Sequence, residues 1–394
     1  MSEVVNIPQL RFPEFNGGWK ESRIGKIYKD LRTGSTPSRA VKSYFKGDNP
    51  WITSGELKYN RISTTFEQIS DEAIKDTNLV LYQPGTLFIA ITGLEAPGTR
   101  GKCAINAVPS TTNQSCLAFR KVDSVDTIYM FYWYLKYGKP LYFKYAQGTK
   151  QQSFNNKIVE KFQIFLPNKP EQQKIAAFLS AVDNKIEQLS KKQELLGEYK
   201  KGLMQQIFSQ AIRFKADDGS DFPDWEEKKL GGVGRIRKGS QLNKSELTDT
   251  GDYPAINGGI NPSGYTDKWN TGKNTITISE GGNSCGYINF ITSKFWSGGH
   301  CYSIEELKGD VLNRFLFQYL KFNEYLIMRL RVGSGLPNIQ KGEINNFKVN
   351  LPSLEEQTKI SNFLSSIDSK IEQVGGQLDE SKQFKKALLQ QMFV

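Results

Sequence analysis

LPNKPEQQKIAAFLSAVDNKIEQ (166–188) and LPSLEEQTKISNFLSSIDSKIEQ (351–373) are two versions of one stretch, set 185 residues apart. The correspondence runs without a gap from 148–208 to 333–393 and keeps 22 identities over 61 positions. Its far end is YKKGLMQQIF (199–208) against FKKALLQQMF (384–393). That is too much for chance at one fixed offset. A repeated unit of this size implies internal pseudo-symmetry, which suits a target that itself comes in two halves.

Within the repeat, apolar residues step by four and three. One series is Ile175, Leu179, Val182, Ile186, Leu189, Gln193, Leu196, Lys200, Leu203, Ile207. The other is Ile360, Leu364, Ile367, Ile371, Val374, Leu378, Ser381, Lys385, Leu388, Met392. Each is a heptad seam, broken by polar residues at Gln193, Lys200, Ser381 and Lys385. One such helix cannot bury its own stripe, so two in one chain most simply pair with each other. The alternative is that each packs only on its own domain. Pro167 and Pro352 lie just before the helices, with Glu171 and Glu356 in the first turn, as helix starts prefer. A helix of ~38 residues is a rod of roughly 57 Å.

The repeat continues outward. NQSCLAF (113–119) and GGHCYSI (298–304) keep the same offset, placing Cys116 on Cys301, and FYWYLKY (131–137) meets LFQYLKF (316–322). WKESRIGKI (19–27) resembles WEEKKLGGV (225–233) at an offset of 206, so the first half holds 21 more residues between Lys26 and about Gly101. Each half therefore reads as a mixed α/β region, then an aromatic-rich core helix, then a long amphipathic helix. Strand-like runs in the first region include LFIAIT (87–92) and TITIS (275–279). The expected segments are 1–167, 168–210, 211–352 and 353–394, in an α+β chain with two α/β domains and two spacer helices.

Composition bounds the function. Hydrophobic residues make up 38% and aromatics 12% of the 394 residues, enough for packed cores. No stretch approaches the ~18 apolar residues of a spanning helix, and the N-terminus lacks a signal-peptide pattern, so a soluble cytoplasmic protein is expected. Net charge is +11, divided as +6 over 1–147, +4 over 148–210, +1 over 211–332 and 0 over 333–394. The third segment contains ADDGSDFPDWEE (216–227) with six acids, so the remainder of the second half is basic as well. Both halves offer basic surface to a polyanion, although charge alone leaves open that none is bound. Cys103, Cys116, Cys285 and Cys301 lack metal-site spacing, which points to reduced thiols and no metal.

Catalytic motifs fail on inspection. DNPW (48–51) lacks the second proline of an adenine-methyltransferase loop. PDWEEK (223–228) crowds together acids that a nuclease metal site would place on separate strands. No phosphate-binding G-x-x-x-x-G-K-[ST] loop is present. His300 meets Ser115 in the other half, so it is no shared catalytic base; a structural or DNA-contacting role fits better.

Loops of both variable regions instead collect small, polar and basic residues, the groups that grip phosphates and reach base edges. In the first half these are Ser35, Thr36, Ser38, Arg39, Lys42 and Lys46, then Arg100 and Lys102, then Thr149, Lys150 and Gln151. In the second half they are Arg237, Lys238, Gln241 and Lys244, then Lys273, Asn283 and Ser284, then Arg331 and Asn338. If Lys150 contacts a phosphate, Lys150→Ala weakens binding to all DNA alike and reduces the slope of log K against log salt by about one. An unchanged slope rejects that role.

These features together resemble the specificity subunit of Type I restriction-modification systems, over nearly the whole chain. The two LP…KIEQ stretches look like the family's spacer segments. GSTPSR…YFKGDNPWITSGEL (34–57) and YPAINGGINPSGYTDKW (253–269) look like openings of its target-recognition domains. The resemblance implies two pseudo-twofold-related target-recognition domains separated by an antiparallel coiled coil. Each would read one half of a split DNA site while the coiled coil fixes the unread gap. It also implies methyltransferase subunits, two in number, docking along the spacer helices that carry Ile175, Leu179, Val182, Ile186, Leu189, Leu196, Ile360, Leu364, Ile367, Ile371, Val374 and Leu388. Restriction subunits join the full complex. S-adenosylmethionine, ATP and Mg2+ would sit on those partners, leaving this chain non-catalytic. A stand-alone duplicated DNA-binding regulator and a self-contained methyltransferase-nuclease are the alternatives. Co-purification with a methyltransferase excludes the first, and a purified chain that cannot modify or cut DNA excludes the second.

Overall fold

The computed structural model describes residues 6–93, 98–148, 152–333 and 335–394. It divides into two compact units, Met1–Ser190 with Gly376–Val394, and Lys191–Gly375. The division falls inside the two long helices, so each unit contains one half of each.

The first unit is built on a five-stranded sheet of β1 (Arg32–Thr33), β2 (Asn60–Ile62), β3 (Leu87–Ala90), β4 (Cys103–Asn106) and β5 (Cys116–Phe119), in the order β1-β5-β3-β4-β2. The second unit has β6 (Arg235–Lys238), β7 (Thr275–Ser279), β8 (Ile288–Ile291) and β9 (Cys301–Glu305), in the order β6-β9-β7-β8. The repeat is thus a repeat of topology. Ala90 pairs with Cys116 where Ser279 pairs with Cys301, and Thr33 pairs with Leu117 where Lys238 pairs with Tyr302. The offset between equivalent residues falls from 205 at Thr33/Lys238 to 189 at Ala90/Ser279, so the first unit's extra length lies mostly between β1 and β3. That length supplies β2, which adds a strand parallel to β4, and a short helix over Asp71–Asp76.

The aromatic stretch forms α1 (Thr127–Tyr145), started by Asp126, whose carboxylate accepts from the amides of Ile128 and Tyr129. Six consecutive residues from Tyr129 to Tyr134 are buried, because the helix is enclosed by the sheet and the long helices and has apolar partners all round. In the second unit α3 has less to fill: between α2 (Lys169–Phe208) and α4 (Leu354–Gln391), α3 (Asn313–Phe322) buries Phe315, Leu316, Tyr319 and Leu320.

Every position of both heptad series is buried or half-buried. In the first unit Ile175 and Leu179 share a core with Leu388 and Met392, and Asp183 pairs with Lys385 at 2.5 Å. In the second unit Ile207 shares a core with Ile360 and Leu364, and Lys200 pairs with Asp368 at 2.5 Å. Gln193 Nε2 also lies against Gly375, where a Cβ would come within 2.8 Å. As the α2 number rises the α4 number falls by the same amount, so in each unit the two segments run antiparallel. The polar breaks at Lys200 and Lys385 are the two halves of one device. Under the 185-residue repeat Asp183 corresponds to Asp368 and Lys200 to Lys385. A parallel, in-register pairing would set lysine on lysine and aspartate on aspartate; only the antiparallel one joins opposite charges at both places. Such half-exposed pairs contribute up to about 1 kcal/mol each, so their main effect is on register and direction.

The first-turn acids have a larger task than favouring a helix start. Glu171 is fully buried and takes a two-pronged bond from Arg11, both contacts at 2.8 Å, with the Trp19 indole N–H at 3.2 Å. Glu356 repeats this with Arg213 at 3.2 and 2.7 Å and Trp225 at 3.2 Å. The next residues, Gln172 and Gln357, accept from the amides of Asp126 and Leu312 and donate to the carbonyls of Pro167 and Pro352. The repeated Glu-Gln therefore ties each unit's chain start, core helix and long helix together.

All four cysteines are free and buried, and burial raises their thiol pKa values, to about 12 for Cys116 and about 11 for Cys301. Among the described residues no group of three or more His, Cys, Asp or Glu side chains is placed to hold a metal ion. No helix among them is long and apolar enough to cross a membrane.

Candidate nucleic-acid interface

In the first unit the loop after β1 leads into a single 3-10 turn, Lys42–Phe45, held against a strand over Asn49–Ile52. Trp51 in that strand is buried and donates its indole N–H to the Ser35 carbonyl at 3.2 Å. The Ser35 hydroxyl is enclosed without a hydrogen-bond partner, and Thr36 donates to Gln114 at 2.7 Å. Ser38, Lys42 and Lys46 are exposed. Arg39 lies over the Phe45 ring at 4.2 Å and is bonded through both terminal guanidinium nitrogens to Glu67, which raises its pKa. Two further cations rest on aromatic faces: Arg100 lies 4.7 Å from the Tyr142 ring and Lys102 lies 4.2 Å from that of Tyr59. Rings of this kind hold a cation in place without neutralising it. Thr149, Lys150 and Gln151 lie outside the described residues.

The second unit divides its candidates differently. Arg237 is committed to the fold, bonded to Glu305 at 3.0 Å, Thr271 at 2.8 Å and the Asn270 carbonyl at 2.7 Å. Gln241 is exposed and donates to the Leu242 carbonyl, and Lys244 begins a 3-10 turn over Lys244–Glu246. Lys273 and Arg331 are exposed. The remaining four, Lys238, Asn283, Ser284 and Asn338, come together around one open cavity of about 560 Å³.

That cavity also gathers residues that the sequence did not single out as binding groups. Asn257, Gly258, Gly259, Glu280, Gly281 and Gly282 line it, together with His300, whose expected role is structural or DNA-contacting. Gly258 (φ +83°) accepts from the hydroxyls of Ser279 and Ser284, and a Cβ there would come within 2.4 Å of the His300 carbonyl oxygen, so only glycine fits. Glu280 directly follows β7, and its carboxylate meets Lys238 at 2.6 Å and the Tyr302 hydroxyl at 3.0 Å. Burial, and then that contact, raise the Tyr302 pKa. His300 is largely exposed at the rim, with Nδ1 at 3.6 Å from Glu280. A glycine-rich wall, amide side chains, a lysine and a carboxylate form a polar recess that offers donors and acceptors to a planar, hydrogen-bonding ligand. Its sequence signal was EGGNSCG (280–286), where an acid closes a strand before a glycine turn.

A family model described as the Type I restriction modification DNA specificity domain matches residues 16–196 and 223–381. The specificity subunit of the Type I restriction enzyme MjaIX from Methanocaldococcus jannaschii is 26% identical over 414 residues, covering 94% of either chain. A putative type I specificity subunit from Mycoplasma pneumoniae is 30% identical over 172 residues, covering 43% of this chain and 46% of its own. The crystal structure of a Type I restriction-modification S subunit from M. genitalium superposes over 98% of this chain and 99% of its own, with TM-score 0.67 at 20% identity. That likeness establishes a shared fold.

Proposed function

The chain belongs to the Type I restriction-modification DNA specificity family, and from that premise we propose how it divides the work of reading DNA. It is the specificity subunit of a Type I complex. Each unit takes one half of a bipartite double-stranded DNA site, and the antiparallel helices set the unread gap and dock the methyltransferase subunits. The observation that carries this reading is the contrast within the repeat. The Glu-Gln anchors are identical and the long helices alike in both halves, while the loops around the sheets differ in length, charge and chemistry.

In this reading the chain performs no catalysis. S-adenosylmethionine, ATP and Mg2+ belong to the modification and restriction subunits, two modification subunits serve the two repeats, and the complex works in the cytoplasm. The exposed Leu195, Tyr199 and Phe384 supply apolar surface on the helices for such partners. Expression with and without a modification subunit tests the assignment. Adenine methylation at a split motif must require both chains. Methylation by this chain alone, or a motif without a gap, would falsify it.

A further inference from the structure

The two units place different chemistry at one equivalent point. After β3 the Ile91 amide donates to the Ser115 carbonyl and the Ile91 carbonyl accepts from Phe154. After β7 the Glu280 amide donates to the His300 carbonyl and the Glu280 carbonyl accepts from Ile339. The backbone bonds match one for one, so Ile91 and Glu280 occupy the same position. Around them the strand registers align Thr33 and Leu117 with Lys238 and Tyr302, and the backbone bonds align Ser115 with His300. The first unit is apolar and hydroxylic there; the second carries a polar quartet of Lys238, Glu280, His300 and Tyr302 that contains one ion pair.

The fold does not require that quartet. Ile91 fills its position at 4% exposure, whereas Glu280 places a carboxylate where its side chain is only 8% exposed. Desolvating a carboxylate opposes folding unless its oxygens are bonded. Oε1 is bonded, to Lys238 Nζ and Tyr302 Oη. Oε2 has no hydrogen bond, and Nδ1 of the rim histidine lies 3.6 Å from it. The unfilled acceptor is thus enclosed, on a residue that lines a cavity of about 560 Å³ whose glycine wall admits close approach.

We infer that Glu280 is a specificity-determining residue, whose Oε2, uncovered as the exposed His300 side chain turns aside, accepts a hydrogen bond from an exocyclic amino group of a base in the half-site read by the second unit. This rests on the DNA-reading function proposed above. In the major groove only cytosine N4 and adenine N6 offer such a donor, whereas guanine O6 and thymine O4 are acceptors that a carboxylate repels. The residue thus selects by attraction and by rejection. Lys238 offsets the repulsion between the carboxylate and the surrounding phosphates. Ile91 offers apolar contact alone, so the first unit makes no such choice at its equivalent point.

The test is methylation mapping of the complete complex, formed with its modification subunits in a host free of other adenine methylation. Glu280→Gln preserves shape and adds a donor, and Glu280→Ile copies the first unit. Every base pair presents one such amino group in the major groove, so the pair relaxed in the variants identifies the donor that Glu280 reads. Both variants are expected to relax one base pair in one half-site, raising methylation of mismatched sites about tenfold or more relative to matched ones. The other half-site and the gap stay fixed. If Glu280→Ile does not assemble, the isosteric Glu280→Gln decides alone. An unchanged motif, or a uniform loss at all sites, overturns the inference while leaving the DNA-reading function in place. A wild-type complex without any bipartite motif overturns both.

Discussion

Seven residues inserted in both long helices, after Leu189 in α2 and after Leu378 in α4, are expected to lengthen the unread gap by about three base pairs while both half-sites stay the same. The insertion points face each other in the antiparallel register defined by Asp183 with Lys385, Gln193 with Gly375 and Lys200 with Asp368. Each ion pair lies to one side of the insertion and keeps its partner. One heptad adds about 10 Å of helix, and DNA rises about 3.4 Å per base pair. Seven residues also complete two helical turns to within ~20°, so the seam stays closed. Three base pairs turn one half-site by roughly 100° about the DNA axis, so methylation should slow although the preferred gap moves. The same insertion in α2 alone displaces Lys200 from Asp368, and should lose activity without gaining a new gap. Mapping methylated sites reads all three outcomes. Altered half-sites with an unchanged gap would sink the ruler role of the helices.

The seam on which that result depends is visible in the sequence because helical periodicity is local: seven residues at a time declare which face is buried. Lys200 and Lys385 are visible only as interruptions. Their meaning needs the register of two segments far apart in the chain, and the sequence does not mark Asp183 and Asp368 as their partners. The same limit applies to the interface. Arg39 and Arg237 have the residue type of DNA-binding groups, yet Glu67 and Glu305 hold them in place. Type does not reveal prior commitment. Glu280 presents the reverse case. A carboxylate is an unlikely choice in a basic DNA-binding chain until the structure shows one oxygen satisfied and the other without a partner. Matching topology then gives the comparison with Ile91, which the sequence offset of 185 alone misses by four residues.

Arg213→Ala is expected to destabilise the second unit by about 3–5 kcal/mol, the usual cost of leaving a buried carboxylate without its cation. Glu356 has no solvent exposure, and Arg213 supplies two of its hydrogen bonds. With the guanidinium gone, the Trp225 indole is the remaining side-chain donor, and a neutral N–H cannot offset a full charge. Adding Glu356→Gln removes the charge and should restore more than half of the loss, since an amide can still accept from Trp225. Glu356→Gln alone should cost less than Arg213→Ala, because an unpaired arginine at the rim reaches water while the buried glutamate does not. Arg11→Ala should reproduce the effect in the first unit through Glu171. Urea unfolding, followed by amide exchange in the first turns of α2 and α4, separates the two units. A loss below about 1 kcal/mol for Arg213→Ala would place the carboxylate in the range of exposed pairs and remove the anchor role. A large loss that the double variant rescues identifies charge burial as the cause, and explains why Glu-Gln is kept in both copies while the loops around the sheets diverge.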